Sequence, residues 1–306
     1  LFLPASVSRK AVPVYFTLSE KNAVVTATGS RGSVALKSGD TLDLTALCEG
    51  TDDMITLRAR SGSMQAEKRV TFLRYDNVST MFLVSDDPVN EGREWVESSE
   101  DKSNRAKGSM ALLAADGESV YDGKLTQIKG RGNSTWKGAK RPYQIKLDKK
   151  TDLLQTGDSA DKAKTWVLLA NFYDPSAVRN MLALDLGRVL QMEFNMGYRP
   201  VCLFYDGEFR GLYLLTEKVE VNEGRVNVTD LEKANEKANP DVDDLTKLES
   251  KTGTTANGAT YLYCDGMNDP ADITGGYLLE MDFADRAMEE KCYFITARGF
   301  YVVVKS

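Results

Sequence analysis

The stretch Ile128–Asp148 reads IKGRGNSTWKGAKRPYQIKLD and places a glycine-rich turn between two segments of strand character. Two glycines bracket Arg131, and Gly132 is followed by the polar residues Asn133 and Ser134. Glycine lets the backbone approach a ligand closely, and successive backbone N–H groups in such a turn can bind an anion. The predicted phosphate-binding turn therefore consists of Arg131, Gly132, Asn133 and Ser134.

The strand after this turn, Tyr143–Asp148, alternates apolar and polar residues. Ile145 and Leu147 face one side of such a strand, whereas Gln144 and Lys146 face the other. Lys146 can then point into a cleft while its neighbours pack in the core, and with the arginine of the turn it would supply positive charge to a phosphate. The alternative is an ordinary hairpin turn between two strands.

Composition restricts the classes of function. The chain has 306 residues, of which 42% are hydrophobic, so it can bury a sizeable core in one large domain or two smaller ones. Its formal net charge of −6 argues against a nucleic-acid-binding protein, which usually carries a basic excess. No segment approaches the roughly 18 apolar residues of a membrane span.

The chain contains no histidine. This excludes, within the chain, catalysis by Ser-His-Asp or Cys-His groups, histidine metal sites and HExxH zinc proteases. Phosphoryl transfer remains compatible with the residues present, since it relies on positioning, cationic groups and metal-bound carboxylates.

The cysteines and the first residue of the chain give information on the cellular compartment of the protein. None of the four cysteines forms a C-x-x-C pair, so a zinc site is not expected. Cys202 lies in an apolar strand pattern that is typical of a buried thiol. Cys264 and Cys292 can pair, but the sequence leaves their state open. The chain opens at Leu1 without an initiator methionine or signal peptide, which predicts the processed form of an exported, secreted or cell-surface protein.

The N-terminal part predicts a small all-β module over residues 1–77. Residues 12–75 contain six short alternating segments separated by turn signals, as in an immunoglobulin-like β-sandwich. A spacer or adhesion role fits this module better than catalysis, because it contains no convergent polar group. Residues 86–106 are charged and turn-rich and predict a surface loop or linker.

A helix is predicted to begin near Asp174, a good N-cap that is followed by Pro175. Before it, residues 166–170 (WVLLA) form an apolar run that fits a buried strand or helix. Asp185 falls in the middle of the apolar stripe of the helix, where a carboxylate is costly unless it is paired. The stripe consists of Val178, Met181, Leu182, Leu186 and Val189.

Later segments predict a hairpin and an insertion. Residues 201–205 and 209–216 read as strands around the turn Asp206-Gly207, a strong hairpin signal. Residues 229–259 are polar and predict an exposed, flexible insertion, partly helical at its start. Strand patterns return at 260–264 and 276–283. There Glu280 and Asp282 share a face and form either a solvated strand face or a carboxylate pair for Mg²⁺ or acid–base chemistry.

Five motifs occur in order along the chain: GRGNSTW, KRPYQIKLD, WVLLANFYDPSAVRN, DGEFRGLYLLTEKVEV and GGYLLEMD. Together they resemble the CotH family, the spore coat protein H-like kinases, in its secreted bacterial form, over residues 78–306. The resemblance implies an α+β fold with an atypical protein-kinase-like domain after the immunoglobulin-like sandwich. It also implies ATP with Mg²⁺ or Mn²⁺ as cofactors and phosphorylation of Ser or Thr on surface or coat proteins.

The resemblance suggests roles for single residues. Lys146 would hold the nucleotide phosphates with Arg131 as a second contact, and Asp185 would orient Lys146, as a helix carboxylate does in kinases. Alternatively, Asp185 pairs with Arg188 or Arg179, or caps a neighbouring loop. Asp282 is the predicted metal or structural carboxylate.

Kinase analogy also places a hinge for the adenine ring at Leu215, Thr216, Glu217 and Lys218. The two charged residues could equally be exposed residues of a strand.

Two family features have no counterpart in residues 1–306, namely an N-x-D-like motif with the catalytic aspartate and a later WDFD-like motif with the metal-binding aspartate. The resemblance therefore predicts a domain truncated at its C-terminus, with no catalytic residue of its own and no activity alone. One alternative is a non-catalytic structural or interaction protein of the cell surface or spore coat. Another is a carbohydrate-binding or carbohydrate-processing protein. The sequence identifies no pair of carboxylates with the defined separation that such an enzyme needs.

Overall fold

The computed structural model describes residues 1–4, 6–49, 53–74, 77–157, 162–242, 247–274, 276–290 and 293–305. The chain forms two compact units. The first comprises residues 1–156 and 163–218, and the second comprises residues 157–162 and 219–306. The predicted module boundary at residue 77 thus falls inside the first unit, between two of its sheets.

The N-terminal part of the first unit contains a five-stranded sheet and a two-stranded sheet. The elements in chain order are β1 (Phe2–Leu3), β2 (Val12–Pro13), β3 (Val24–Thr28), β4 (Ser33–Leu36), β5 (Thr41–Leu42), α1 (Leu44–Leu47), β6 (Asp53–Ser61) and β7 (Met64–Arg74). The larger sheet has the order β1-β7-β6-β3-β4, and β2 pairs with β5.

Most of the strands expected over residues 12–75 are present, and their alternating apolar residues form a separate core with Ala27, Leu42 and Ile55 at its centre. The expectation is wrong at residues 44–47, which form the helical turn α1. Asp43 causes this change, because its side chain accepts hydrogen bonds from the amides of Thr45 and Ala46 and so caps a helix.

The rest of the first unit is built on a closed barrel of seven strands. Its elements in chain order are β8 (Ser79–Ser85), α2 (Arg93–Ser98), β9 (Arg105–Leu113), β10 (Ser119–Gly130), β11 (Tyr143–Thr151), β12 (Ala163–Leu169), α3 (Arg179–Val189), β13 (Tyr198–Tyr205) and β14 (Glu208–Glu217). The strand order is β10-β11-β12-β14-β13-β8-β9, and all pairs are antiparallel except β8 with β13.

Period-2 alternation fills the barrel with apolar side chains. On β11, Tyr143, Ile145 and Leu147 are fully buried, whereas Lys146 between them is exposed. The predicted alternation of this strand is therefore confirmed. Trp166 lies in β12 and is also fully buried, so the apolar run at 166–170 belongs to a strand.

The predicted hairpin around Asp206-Gly207 is confirmed. Asp206 and Gly207 have φ angles of 49° and 79°, the left-handed values that a tight two-residue hairpin turn requires. The side chain of Asp206 also accepts hydrogen bonds from the amides of Ser85 and Arg93, at 2.7 and 2.8 Å. The turn thus fastens β8 and α2 to the barrel end.

The expectation of a loop over residues 86–106 is wrong in part, because α2 lies within it. Val96 on α2 is fully buried in the barrel core, which explains why this charged segment forms an ordered helix.

Helix α3 begins at Arg179, five residues later than the predicted start at Asp174. Val178 is the N-cap and provides no side-chain hydrogen bond, whereas the Asp174 carboxylate accepts one from the Arg179 amide at 2.8 Å. The apolar stripe was expected to face a core, and this is wrong. Leu182, Leu186 and Val189 are 62%, 56% and 77% exposed. Periodicity identified an apolar face of the helix but not what that face contacts.

The second unit is a small α+β structure. Its described elements are α4 (Leu231–Ala238), β15 (Lys251–Thr254), β16 (Thr260–Tyr263), β17 (Leu279–Asp282), α5 (Ala284–Glu290), β18 (Tyr293–Ile295) and β19 (Tyr301–Val304). The sheet order is β15-β16-β18-β19-β17, with Val303 fully buried on β19. Helix α4 confirms the helical start predicted for the polar insertion.

The predicted α+β class is confirmed, with sheets dominating over short helices. The closed barrel was not predicted. Closure depends on the parallel pairing of β8 with β13, which are far apart in sequence, and local patterns contain no signal for such a contact.

Candidate functional site

The glycine-rich turn is anchored by Trp136, which is almost completely buried. Its indole N–H donates a hydrogen bond to the backbone carbonyl of Ser99 at 2.9 Å. A Cβ atom on Gly130 would overlap the Trp136 ring. The packing of this tryptophan therefore requires glycine at position 130.

Gly132 has a φ of 84°, so this position of the turn favours glycine. Asn133 and Ser134 are exposed at the start of the 3₁₀ turn Ser134–Lys137. The carbonyl of Asn133 accepts from the Trp136 amide at 3.1 Å, and that of Ser134 accepts from the Tyr173 hydroxyl at 3.2 Å. The turn is thus ordered, with its polar tip open to solvent.

Lys146 lies on the outer face of the barrel. Its backbone pairs with Gln127 on β10 and Thr165 on β12. The alternation of β10 and β11 places Gln127, Lys129, Gln144 and Lys146 on this same outer face. The lysine predicted from the sequence is therefore accessible to a ligand.

Sequence analysis missed a basic pair on this face. Lys129 on β10 lies directly opposite Arg105 on β9. Like charges directly opposite each other across two strands are destabilising. Burial and the cations Arg105, Lys218 and Lys102 all lower the pKa of Lys129.

Arg131 continues the same outer face. Its amide donates to the Pro142 carbonyl at 3.3 Å, so the chain still pairs with the segment before β11 two residues after Lys129. Arg131 is partly buried, and burial lowers the pKa of its guanidinium. Among the described residues, no side-chain hydrogen bond or ion pair holds Arg131 or Lys129.

An ionic cluster closes one end of the barrel next to the turn. Glu97 on α2 pairs with Arg93 at 2.7 Å and with Arg210 at 3.3 Å, and it accepts a hydrogen bond from the Tyr143 hydroxyl. Arg141 donates to the Glu97 carbonyl, and its guanidinium lies 4.7 Å from the centre of the Trp136 ring. This cluster fixes the second half of the glycine-rich segment.

Lys140 lies in the same segment and is half-buried. Its ammonium group donates to the Leu212 carbonyl and sits 4.5 Å from the centre of the Tyr213 ring. Burial lowers the pKa of Lys140 to about 8, with a smaller opposing effect from Cys202. Burial also raises the pKa of the Cys202 thiol to about 11, which agrees with the buried thiol predicted there.

Asp185 forms the alternative contact predicted for it. Its carboxylate pairs with Arg188 at 2.8 Å and accepts from the Tyr198 hydroxyl at 2.9 Å. The predicted pairing with Lys146 is not formed: Asp185 lies on α3 with 48% of its side chain exposed and binds residues of its own neighbourhood.

The predicted hinge residues lie at the end of β14. Leu215, Thr216 and Glu217 pair with β12, and the first two also pair with β13. The backbone of Leu215 and Thr216 is therefore used within the sheet. Lys218 is the last residue of the first unit, and the role of these four residues as a hinge stays a prediction.

The two carboxylates of β17 are held by different cations. Asp282 pairs with Arg286 at 3.1 Å, and Glu280 pairs with Lys305 at 3.3 Å. Burial acts to raise the pKa of Asp282, but the Phe283 amide and the two cations outweigh it and lower that pKa. Where the chain is described, no group of three or more acidic or cysteine side chains is arranged to hold a metal ion.

Residues 128–263 match the model of a family described as CotH kinase protein. The predicted resemblance to the CotH family is thus confirmed over these residues. No curated protein matches the sequence.

The CotH match begins at the end of β10 with Ile128, Lys129 and the glycine-rich turn, and it ends with β16. It is shorter than the resemblance over residues 78–306. The CotH region includes the outer face with Arg131 and Lys146, whereas Arg105 and α2 lie before it.

Two further sequence expectations concern the membrane and the disulfide. In the part of the chain that the structure describes, every helix is too short or too polar to span a bilayer. The pairing of Cys264 with Cys292 lies outside the described residues.

Proposed function

We propose that this chain carries the nucleotide-binding part of an exported CotH-like phosphotransferase. The enzyme would transfer the γ-phosphoryl group of ATP, with Mg²⁺ or Mn²⁺, to Ser or Thr hydroxyls of surface or coat proteins. The observation that carries the proposal is the CotH match, which begins at Ile128 and includes Lys129, Arg131 and Lys146.

The residues on the outer face suit the phosphates of ATP. Lys146 is exposed on β11, and Arg131 is a partly buried guanidinium beside a turn with an open polar tip. Cationic groups of this kind bind phosphate oxygens and balance the charge that develops during phosphoryl transfer. ATP would bring the γ-phosphoryl group, and these side chains would hold and orient it.

The described residues do not fit a metal site built by the protein alone. Asp282, the predicted metal carboxylate, is paired with Arg286 and receives the Phe283 amide at 2.9 Å. Asp282 as a metal ligand stays a prediction, and we assign no further described residue to Mg²⁺ or Mn²⁺.

Calorimetry with ATP and Mg²⁺ tests the proposal. We expect wild-type protein to bind ATP and Lys146→Ala to bind about tenfold more weakly, since a charged hydrogen bond is lost. Lys150→Ala is the matched control, because Lys150 is an exposed lysine four residues further along the same strand. Absence of ATP binding by well-folded wild-type protein would instead favour a non-catalytic structural role.

A further inference from the structure

The basic pair of Lys129 and Arg105 has no carboxylate partner among the residues that the structure describes. Strand pairing fixes Lys129 and Arg105 opposite each other, at the same level of the outer face. Two cations in this position repel, and such a pair costs stability unless an anion lies between or above them. Among the described residues, the charged groups that shift the pKa of Lys129 include no carboxylate, so this register favours the binding of an anion.

The charges that Lys129 experiences support this. Every charged group that shifts the pKa of Lys129 is a cation, namely Arg105, Lys218 and Lys102, and burial shifts it in the same direction. Lys129 is only partly exposed, so the repulsion is screened less than on a fully solvated surface.

Lys102, another of these cations, lies in the turn after α2. Lys102 has a φ of 62°, and its amide donates to the Ser99 carbonyl at 3.4 Å, the same carbonyl that Trp136 binds. Asp101 in that turn is occupied locally, since it accepts from the Ser99 hydroxyl at 2.5 Å and from the Ser103 amide at 3.0 Å. The tryptophan therefore links the turn of Lys102 to the glycine-rich turn of the CotH match.

We infer that Lys102, Arg105 and Lys129 together bind a polyphosphate chain on the outer face of the barrel, with Arg131 at its edge. Three clustered cations match several linked phosphates better than a single carboxylate, because each phosphate supplies its own charge and acceptor oxygens. The inference rests on the proposed function when the polyphosphate is that of ATP, and it adds Lys102, Arg105 and Lys129 to the residues predicted from the sequence. A free inorganic polyphosphate has the same chemistry.

The test is calorimetry of the whole chain with inorganic tripolyphosphate, with ATP and with adenosine. We expect Lys129→Gln and Arg105→Gln each to weaken tripolyphosphate binding about tenfold or more. Lys124→Gln is the matched control, since Lys124 is an exposed lysine on the same strand that lies opposite Ser109. Its tripolyphosphate affinity should stay within about twofold of wild type, the change expected of a screened surface charge.

Urea unfolding without ligand shows whether the variants fold. Lys129→Gln should unfold at the same urea concentration as wild type or a higher one, because a repulsion is removed. Loss of binding in a variant of unchanged or greater stability then reflects the site.

The binding results distinguish a failure of this inference from a failure of the proposed function. ATP binding that requires Lys146 but is unaffected by Lys129→Gln and Arg105→Gln overturns the inference and leaves the proposed function standing. Tripolyphosphate binding that requires Lys129, with no binding of ATP, supports the anion site and overturns the nucleotide function. Absence of tripolyphosphate binding by folded wild-type protein overturns the anion site whatever ATP does.

Discussion

The ring of Trp136 lies against the backbone of Gly130 with no room for a methyl group between them. This contact joins the end of β10 to the 3₁₀ turn, and the indole N–H extends it to Ser99. The glycine-rich turn, the turn of Lys102 and the start of the CotH match therefore depend on one buried side chain.

Gly130→Ala should destabilise the protein by about 3 kcal/mol, since the added methyl group overpacks a filled core. Urea unfolding measures the loss. In a Trp136→Leu background the same substitution should cost much less, because the smaller side chain leaves room. Equal costs in the two backgrounds would show that Gly130 acts through its backbone and not through this contact.

Glu97→Ala should destabilise the protein by about 2 kcal/mol, because Arg93 and Arg210 lose the less exposed of their two shared carboxylates and then share only Glu208. The Glu97 side chain is 16% exposed, which limits screening by solvent. Thermal or urea unfolding provides the measurement. Glu94→Ala is the control: Glu94 also faces Arg93, at 3.5 Å, but is 90% exposed and should contribute no more than about 1 kcal/mol.

The amino group of Lys140 should titrate near pH 8, because burial disfavours its charged form. NMR of ¹³C-methylated lysines, assigned with Lys140→Arg, measures this directly. In urea the same signal should titrate near the ordinary lysine value of about 10.4. Since the folded-state pKa lies below the unfolded one, this group makes folding more favourable as the pH rises from about 8 toward 10. A Lys140 signal that titrates at the same pH in both states would contradict the burial seen here.

Asp185→Ala should leave ATP affinity within about twofold of wild type and reduce stability by about 1 kcal/mol. The carboxylate contacts Arg188 and Tyr198, and an exposed helix ion pair with one neutral hydrogen bond contributes little. Calorimetry and urea unfolding on the same preparations give both values. A loss of ATP affinity as large as that of Lys146→Ala would restore the orienting role that kinase analogy suggested.

Local signals predicted the local structure. The alternation around Ile145 and the Asp206-Gly207 turn each fix a conformation within a few residues, and both predictions are confirmed. Two segments form helices that their patterns did not predict. Asp43 caps α1, and Val96 on α2 is buried against strands that are distant in sequence.

The basic pair shows what the sequence could not provide. Lys129 lies two residues before Arg131, so strand alternation predicts that the two share a face. Alternation does not predict that Arg105 is the cross-strand partner of Lys129. The register shifts of β10 between Leu125 and Ile128 decide that Arg105 lies opposite Lys129. Such bulges depend on the assembled sheet and have no signature in a single strand.

The closure of the barrel has a consequence for the order of folding. During synthesis β8 emerges about 120 residues before its parallel partner β13, and at roughly 5–20 residues per second the delay is on the order of ten seconds. Throughout that interval β8 offers an unpaired edge to any other nascent strand. Arrival of the β13–β14 hairpin ends this exposure, and Asp206 at its tip then binds Ser85 and Arg93. A ribosome pause before Tyr198 would prolong the period in which this edge of β8 is unpaired.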